Sequence, residues 1–102
     1  MSVARTPIGS YRGSLSPLTA PQLGSVAIRG AIEKSGITPD VIDKVYFGHV
    51  LQSGCGMLTA RQSAIGAEIT ISVPCTNVNK VCASGMKSIT LRAQSIVTIL
   101  KD

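Results

Sequence analysis

The chain has 102 residues, of which 44% are hydrophobic and 15% are charged. This composition fits one small globular domain and excludes a disordered, collagen-like or low-complexity chain. Ten Lys and Arg residues against five Asp and Glu residues give a net charge of +5. The basic residues are spread singly along the chain without interleaved aromatics, which argues against nucleic-acid binding.

Three cysteines cannot all pair with one another, and none of them forms the C-x-x-C spacing of a zinc or redox site. Cys55, Cys75 and Cys82 therefore indicate a reducing compartment. The apolar stretches are shorter than the ~20 residues that a membrane-spanning helix needs. Residues 1–7 lack the pattern of a signal peptide or presequence. We expect no membrane span and no targeting segment.

The first third of the chain predicts a short strand remnant, a loop and a helix. Residues 1–4 are a short apolar stretch, and the Gly, Ser and Pro content of residues 5–17 predicts a loop. Thr19 is a suitable N-cap, a proline lies in the first turn that follows, and Gly36 is a suitable stop. Together with apolar residues at helical spacing, these signals predict an amphipathic helix over residues 20–35.

The middle of the chain predicts a strand and a short helix. A turn or short helical cap at residues 38–40 precedes an alternating, β-rich segment, which predicts a strand over residues 44–50. Residues 53–56 predict a loop because they hold two glycines and a serine. Residues 58–66 then predict a short helix.

The last third predicts a strand that leads directly into a helix. Apolar and β-branched residues predict the strand over residues 74–81. Residues 83–100 predict a helix, because one face repeats every 3.6 residues, and we expect that face to be buried. Strands that alternate with helices favour an α/β layered fold with a largely parallel sheet. The predicted buried face of the last helix consists of Met86, Ile89, Ala93, Ile96, Val97 and Leu100.

The junction between the last strand and the last helix is the best candidate for a functional site. Cys82 stands at the predicted helix N-terminus, where unpaired backbone N–H groups and the helix dipole favour a thiolate nucleophile. Ala83, Ser84 and Gly85 are small and would leave the sulfur accessible. The alternative is that Cys82 is a small apolar side chain in the interior, as free cysteines usually are.

Other candidates are weaker. His49 is the single histidine and could pair with Cys82, but a histidine alone in a strand more often has a structural role. The S-x-x-K spacing from Ser84 to Lys87 matches serine β-lactamases, yet the S-D-N and K-T-G segments of that site are missing from the sequence. Arg61 and Gln62 could orient the junction or lie in solvent. The chain contains no phosphate-loop, metal-hydrolase or dinucleotide motif.

The segment from Asn79 to Lys87, with Cys82 inside it, resembles the active-site signature of the thiolases. The resemblance covers nearly the whole chain and is strongest to the acetyl-CoA acetyltransferases of the mitochondrial acetoacetyl-CoA type. It identifies the chain as an N-terminal piece of a thiolase. The further stretches that agree in order and spacing are Ala4 to Gly9, Leu23 with Gly24, Phe47 with Gly48, and Ala60 to Gln62.

The resemblance implies a thiolase-like layered α/β/α fold, of which residues 1–102 would form an incomplete N-terminal half. It implies that Cys82 is the catalytic nucleophile, which takes the acyl group of an acyl-CoA as a thioester. Acyl-CoA and free CoA would then be substrates, with no bound cofactor and no metal. The intact protein would be a homodimer or homotetramer in the mitochondrial matrix, with the cytosol or peroxisome as alternatives.

The chain departs from the family pattern in two places. Thiolases begin with a full apolar strand where this chain has only Ser2, Val3 and Ala4, so the resemblance implies a clipped first strand. Glu68 stands where relatives tend to have Gly. The activating histidine, the second cysteine and the oxyanion-hole Asn and His belong to later parts of the family sequence, and His49 matches none of them. We expect this chain alone to be nearly inactive.

Functions of different classes therefore stay open. The chain could act as an enzyme within a whole thiolase, through Cys82. It could instead be a non-catalytic, truncated subunit that binds full-length thiolase through the strand at residues 74–81. A stand-alone redox thiol at Cys82 is a third and weaker hypothesis.

Overall fold

The computed structural model describes residues 1–101, and side chains over residues 1–98. It confirms the α/β class and the alternation of helices and strands that the sequence predicts. The elements are α1 (Ala20–Ser35), a 3-10 helix (Pro39–Val41), β1 (Val45–Gly48), α2 (Thr59–Gly66), β2 (Cys75–Val78) and α3 (Ser84–Lys101).

The N-terminal stretch differs from the prediction. Residues 1–10 form no strand, so even the short strand remnant expected at residues 1–4 is wrong. The Ser2 hydroxyl instead donates a hydrogen bond to the carbonyl of Ala31 in α1. The segment is therefore tied to a helix and adds no strand to the sheet.

Helix α1 has the predicted bounds because both of its ends are capped. The Thr19 side chain accepts from the Gln22 N–H at 3.3 Å, and the Gln22 side chain accepts from the Thr19 N–H at 2.8 Å. These two bonds form a capping box. Gly36 ends the helix with φ of 74°, a left-handed conformation that glycine adopts without steric cost.

The sheet has two parallel strands, with Val45 opposite Cys75 and Gly48 opposite Val78. Side chains alternate between its faces. Asn77 accepts from the Ala60 N–H of α2, whereas Gly48 lies against the backbone of α3. Helices α1 and α2 thus cover one face and α3 covers the other, which gives the predicted α/β/α layers.

Helices α1 and α2 pack closely because their contact is built from very small residues. A Cβ atom on Gly24 would lie 2.5 Å from Ser63 Oγ, and one on Gly66 would overlap the Ser25 side chain. The buried Ser25 hydroxyl lies 2.9 Å from the Ser63 carbonyl oxygen, and the Ser63 hydroxyl lies 3.0 Å from the Pro21 carbonyl oxygen. The hydroxyls replace bulk with hydrogen bonds between the two helices.

The apolar core under these helices is small. Its buried members are Ala64, Ile69 and Val73. Ala64 and Ile69 also help to end α2, because the Ile69 N–H donates to the Ala64 carbonyl at 3.0 Å. A second bond at the same helix end runs from the Glu68 N–H to the Ile65 carbonyl at 2.9 Å. This pair of bonds is a Schellman motif, in which the residue after the cap usually is glycine.

Glu68 occupies that glycine position with φ of 67°. The glutamate that stands where relatives tend to have glycine therefore adopts a backbone conformation that costs an L-amino acid roughly 1–2 kcal/mol.

We expect Glu68→Gly to raise the free energy of unfolding by about 1 kcal/mol, since the relief of strain exceeds the extra chain entropy of glycine. Urea unfolding of the 102-residue chain measures this change. Glu68→Ala is the control, because it removes the carboxylate from the helix C-terminus but keeps the strain. An equal gain in both variants would assign the effect to charge instead of backbone conformation.

Helix α3 forms where predicted, but the apolar face that its period identifies is exposed in the part of the chain that the structure describes. Met86, Ile89 and Val97 on that face are 75%, 72% and 51% exposed. The 3.6-residue period identifies an apolar face, but it does not show what covers that face. No described residue buries Met86, Ile89 or Val97. Leu100 lies outside the described side chains. The positions of α3 turned toward the protein are Ser84, Lys87, Ser88, Leu91, Arg92 and Ser95.

The accessible surface is correspondingly large. It measures 7250 Å², whereas a compact monomer of this size exposes about 5,500 Å². In the part of the chain that the structure describes, no helix is both long and apolar enough to cross a bilayer. An exposed apolar face on a helix of this kind is a candidate surface for contact with other polypeptide.

We expect Ile89→Gln to lower self-association of the 102-residue chain and leave its free energy of unfolding within ~0.5 kcal/mol of wild type, because the side chain is exposed. Sedimentation velocity over a concentration series measures the association. Leu91→Gln, on the half-buried face of the same helix, is the control and should destabilise the fold. Unchanged association in Ile89→Gln would mean that this face makes no contact between copies.

Candidate active site

The candidate site lies at the edge of the sheet where β2 ends and α3 begins. Cys82 is exposed, two residues before the first helical residue. The first bond of the helix ladder runs from the Lys87 N–H to the Ala83 carbonyl at 2.9 Å. The structure thus places Cys82 at a helix N-terminus, as the sequence predicts, and not in the interior.

The turn that carries Cys82 is strained. Val81 has φ of 49°, a left-handed conformation that is rare for a β-branched residue. Its N–H donates to Asn79 Oδ1 at 3.1 Å, and its carbonyl accepts from the Ser84 hydroxyl at 2.6 Å. Side chains on both sides therefore hold the peptide groups next to Cys82.

Asn79 also anchors the turn to the rest of the sheet edge. Its Nδ2 donates to the carbonyl of Val50, just beyond β1, at 3.3 Å. Because the two strands are parallel, the segments that follow them leave the sheet at the same edge. The turn and the end of β1 are thereby fixed to each other.

Gly48 at the end of β1 allows α3 to begin at this place. A Cβ atom there would lie 2.7 Å from the Gly85 nitrogen and 2.8 Å from the Ser84 carbonyl oxygen. These are backbone atoms that cannot move aside as a flexible side chain could. The helix N-terminus therefore sits directly on the strand end.

We expect Gly48→Ala to destabilise the protein by about 1–3 kcal/mol through this overlap. Gly85→Ala is a matched control on the other side of the same contact, since a Cβ there meets no atom within 4 Å. It should be neutral or slightly stabilising, because alanine favours helix. Denaturant unfolding of both variants provides the test, and equal losses would contradict the close approach.

His49 has a structural partner away from the cysteine. Its Nδ1 lies 2.8 Å from the Thr59 hydroxyl oxygen, and Thr59 is buried at the start of α2. No hydrogen bond within the described residues joins His49 to Cys82. The structure therefore supports the structural role and does not bring the suspected Cys–His pair together.

A polar network around His49 was not visible in the sequence. The Gln52 amide donates to the His49 carbonyl at 2.8 Å and accepts from Asn77 Nδ2 at 3.0 Å. Asn77 Oδ1 in turn accepts from the Ala60 N–H at the start of α2. The network fixes the loop between β1 and α2 to β2. Its members are far apart in sequence, so no local pattern could have revealed it.

Arg61 and Gln62 hold loops in place and are not simply solvated. Arg61 Nη1 donates to the Ile71 carbonyl at 2.6 Å. Gln62 Nε2 lies 2.8 Å from the Cys55 carbonyl oxygen and 2.9 Å from that of Met57. Neither residue contacts the Cys82 turn through these bonds.

The three thiols differ in their surroundings. All are free in the described part of the chain, and Cys55 and Cys75 are half-buried. Burial raises the pKa of the Cys75 thiol, and the nearby positive charge of Arg61 offsets part of that rise. Burial therefore favours the neutral thiol form of Cys75.

A shallow cavity of about 260 Å³ lies beside the Cys82 turn. Lys80 and Lys87 contribute two positive charges to its wall, together with Ala83, Met86 and Thr90. The cavity suits an anionic or polar group better than a cation. Over the described residues, no cluster of three or more His, Cys, Asp or Glu side chains could hold a metal ion.

Comparison with known proteins places this arrangement in one family. Residues 1–101 match the thiolase N-terminal domain. The chain is 57% identical over 96 residues to a mitochondrial acetyl-CoA acetyltransferase of Xenopus tropicalis, covering 94% of this chain and 23% of that protein. It is 58% identical over 102 residues to a cytosolic acetyl-CoA acetyltransferase of Gibberella zeae, covering 100% and 26%. The human mitochondrial acetyl-CoA acetyltransferase is 55% identical over 97 residues, which cover 95% and 23%.

The chain belongs to the thiolase family. It corresponds to the N-terminal domain of that family and spans about a quarter of the length of the curated relatives it matches. The resemblance drawn from the residues around Cys82 is confirmed. The layered α/β fold with its small parallel sheet agrees with an incomplete thiolase-like fold.

Proposed function

We propose that this chain is part of a thiolase-type acyltransferase and that Cys82 is its nucleophile. The observation that supports the proposal is an exposed thiol at a helix N-terminus, within a segment that matches the thiolase N-terminal domain. The substrates would be coenzyme A thioesters, as in the acetyl-CoA acetyltransferases that it resembles. No bound cofactor is required by this chemistry.

The proposed reaction proceeds through a covalent intermediate on Cys82. The thiolate attacks the carbonyl carbon of an acyl-CoA, a new C–S bond forms, and the CoA thiolate leaves. In synthesis, the deprotonated methyl carbon of acetyl-CoA then attacks this acyl group, and the Cys82 thiolate is released with 3-oxoacyl-CoA. In thiolysis, the same steps run in reverse with free CoA as the second nucleophile.

The 102-residue chain supplies one catalytic group of several. The family resemblance assigns an activating histidine, a second cysteine and oxyanion-hole residues to parts of the thiolase sequence outside these residues. Catalytic groups act as a unit, so the nucleophile without its partners retains little turnover. We therefore propose that full activity belongs to a longer protein and that this chain contributes Cys82.

Oligomeric state and location also belong to the proposal. We propose a homodimer or homotetramer for the intact protein, because the resemblance to the thiolase family implies such an assembly. A mitochondrial location is supported by relatives that are named mitochondrial, while a cytosolic relative is equally similar. Acetyl-CoA metabolism in either compartment fits the chemistry.

The nucleophile can be tested on the chain itself. Incubation with acetyl-CoA should load one acetyl group on Cys82, faster than on Cys55 or Cys75, because Cys82 is exposed at a helix N-terminus whereas the other two thiols are half-buried. Peptide mass spectrometry locates the acetyl group, and Cys82→Ser is the control. Turnover of acetoacetyl-CoA with CoA should be nearly absent.

Equal acetylation of all three cysteines, or none at Cys82, would overturn the role of Cys82. Robust turnover by the 102-residue chain would contradict the assignment of the missing groups to a longer protein. The two results are independent, because the first concerns one covalent step and the second concerns the whole cycle.

A second candidate function is that of a non-catalytic subunit that binds full-length thiolase. The exposed face of α3 and the unpaired outer edge of β2, seen among the described residues, favour it. Affinity capture of the native protein with an antibody against residues 83–100, followed by intact mass analysis, separates the two. A product several times longer supports the enzyme, whereas a 102-residue product together with a longer thiolase supports the subunit.

A further inference from the structure

We propose that Ser84 is a positioning residue for Cys82. Its hydroxyl fixes the two residues that precede the thiol, and so holds the sulfur at the N-terminus of α3. The inference rests on the proposed function, because that function makes Cys82 the nucleophile. The hydrogen bonds from which we argue it do not depend on the identity of the substrate.

The Ser84 side chain is almost fully buried, at 4% exposure. Its oxygen accepts the Lys80 N–H at 2.8 Å, and its hydroxyl hydrogen is donated to the Val81 carbonyl at 2.6 Å. One hydroxyl thus satisfies a donor and an acceptor on consecutive residues. The chain from Lys80 to Val81 is held to the first turn of α3 through this group.

Such a restraint is needed because Val81 is strained. A non-glycine residue in the left-handed region costs of order 1–3 kcal/mol and persists only where the surroundings fix it. Asn79 holds the Val81 N–H and Ser84 holds the Val81 carbonyl. Without the Ser84 hydroxyl, the Lys80 N–H loses its acceptor, and the Val81 carbonyl keeps only the longer bond from the Ser84 N–H at 3.2 Å. Val81 can then relax and carry Cys82 away from its position.

Ser88 provides the natural comparison. It is also buried, at 8% exposure, one turn later on the same face of α3. Its hydroxyl donates to the Gly85 carbonyl at 2.6 Å, within its own helix. The two serines are therefore alike in burial and helix contact, and they differ in that Ser84 alone bonds to the residues before Cys82.

The test measures the reactivity of each cysteine in the 102-residue chain. Iodoacetamide alkylation is followed by peptide mass spectrometry between pH 7 and 9, with Cys55 as the internal reference. The variants are Ser84→Ala, Ser84→Thr, which keeps the hydroxyl, and Ser88→Ala. Iodoacetamide alkylates the thiolate form of cysteine, and a helix N-terminus favours that form, so displacement of the sulfur from the helix N-terminus lowers the rate.

We expect Ser84→Ala to lower the alkylation rate of Cys82 relative to Cys55 by about threefold, while Ser84→Thr restores most of it. Ser88→Ala should leave the ratio unchanged even where it lowers stability, because its hydroxyl does not reach the turn. A ratio that Ser84→Ala leaves unchanged, or that Ser88→Ala lowers equally, would overturn the proposal.

A second variant keeps the test valid if Ser84→Ala unfolds. Ser84→Ala combined with Val81→Gly removes the strain, since glycine adopts positive φ freely, and should restore the native circular dichroism spectrum. The Cys82 ratio should remain low, because the Lys80 N–H and the Val81 carbonyl still lack the Ser84 hydroxyl and a glycine at position 81 leaves the turn free to move. Recovery of both the fold and the ratio would mean that Ser84 acts on stability alone.

The outcome is separable from that of the proposed function. Alkylation involves no coenzyme A thioester, so a Ser84-dependent rate with no acetylation of Cys82 would remove the thiolase role and keep the positioning role. Acetylation of Cys82 with a rate that ignores Ser84 would have the opposite meaning.

Discussion

The contact between the end of β1 and the beginning of α3 is the constraint on which the candidate site depends. Gly48 lets the backbone of Ser84 and Gly85 rest directly on the strand end. That contact fixes where α3 begins, and the place where α3 begins fixes Cys82. The turn between β2 and α3 must then bridge a short gap, which explains why Val81 takes a left-handed conformation held by Asn79 and Ser84.

Hydroxyl and amide groups take a larger part in this structure than apolar bulk does. Serines join α1 to α2, one serine closes the Cys82 turn, and an Asn–Gln pair ties the loop after β1 to β2. Buried polar groups that are fully paired favour one specific arrangement, because any displacement leaves a donor or acceptor without a partner. These polar contacts fix the edge of the sheet at the site, beside an apolar cluster with three buried members.

The other face of α3 is built differently. It presents Met86, Ile89 and Val97 to solvent, although its 3.6-residue period is that of a buried helix. The chain spans about a quarter of the length of the curated relatives it matches, so the longer protein that we propose would account for both observations. Within the described residues, Asn79 and Ser84 hold the Cys82 turn. The apolar face of α3 has no such partner there, and the buried Arg92 Nη1 on the same helix has no hydrogen-bond partner.

The sequence by itself determined the helices, the parallel strand order and the position of Cys82, because capping residues, periodicity and small residues at a strand–helix junction are local signals. The family resemblance also pointed to Glu68, which stands where relatives tend to have Gly. Tertiary structure alone decided the absence of a strand at residues 1–4, the pairing of His49 with Thr59 and the role of Ser84. Those features depend on which backbone groups meet across the fold, and hydrogen bonds between distant residues leave no periodic trace in the sequence.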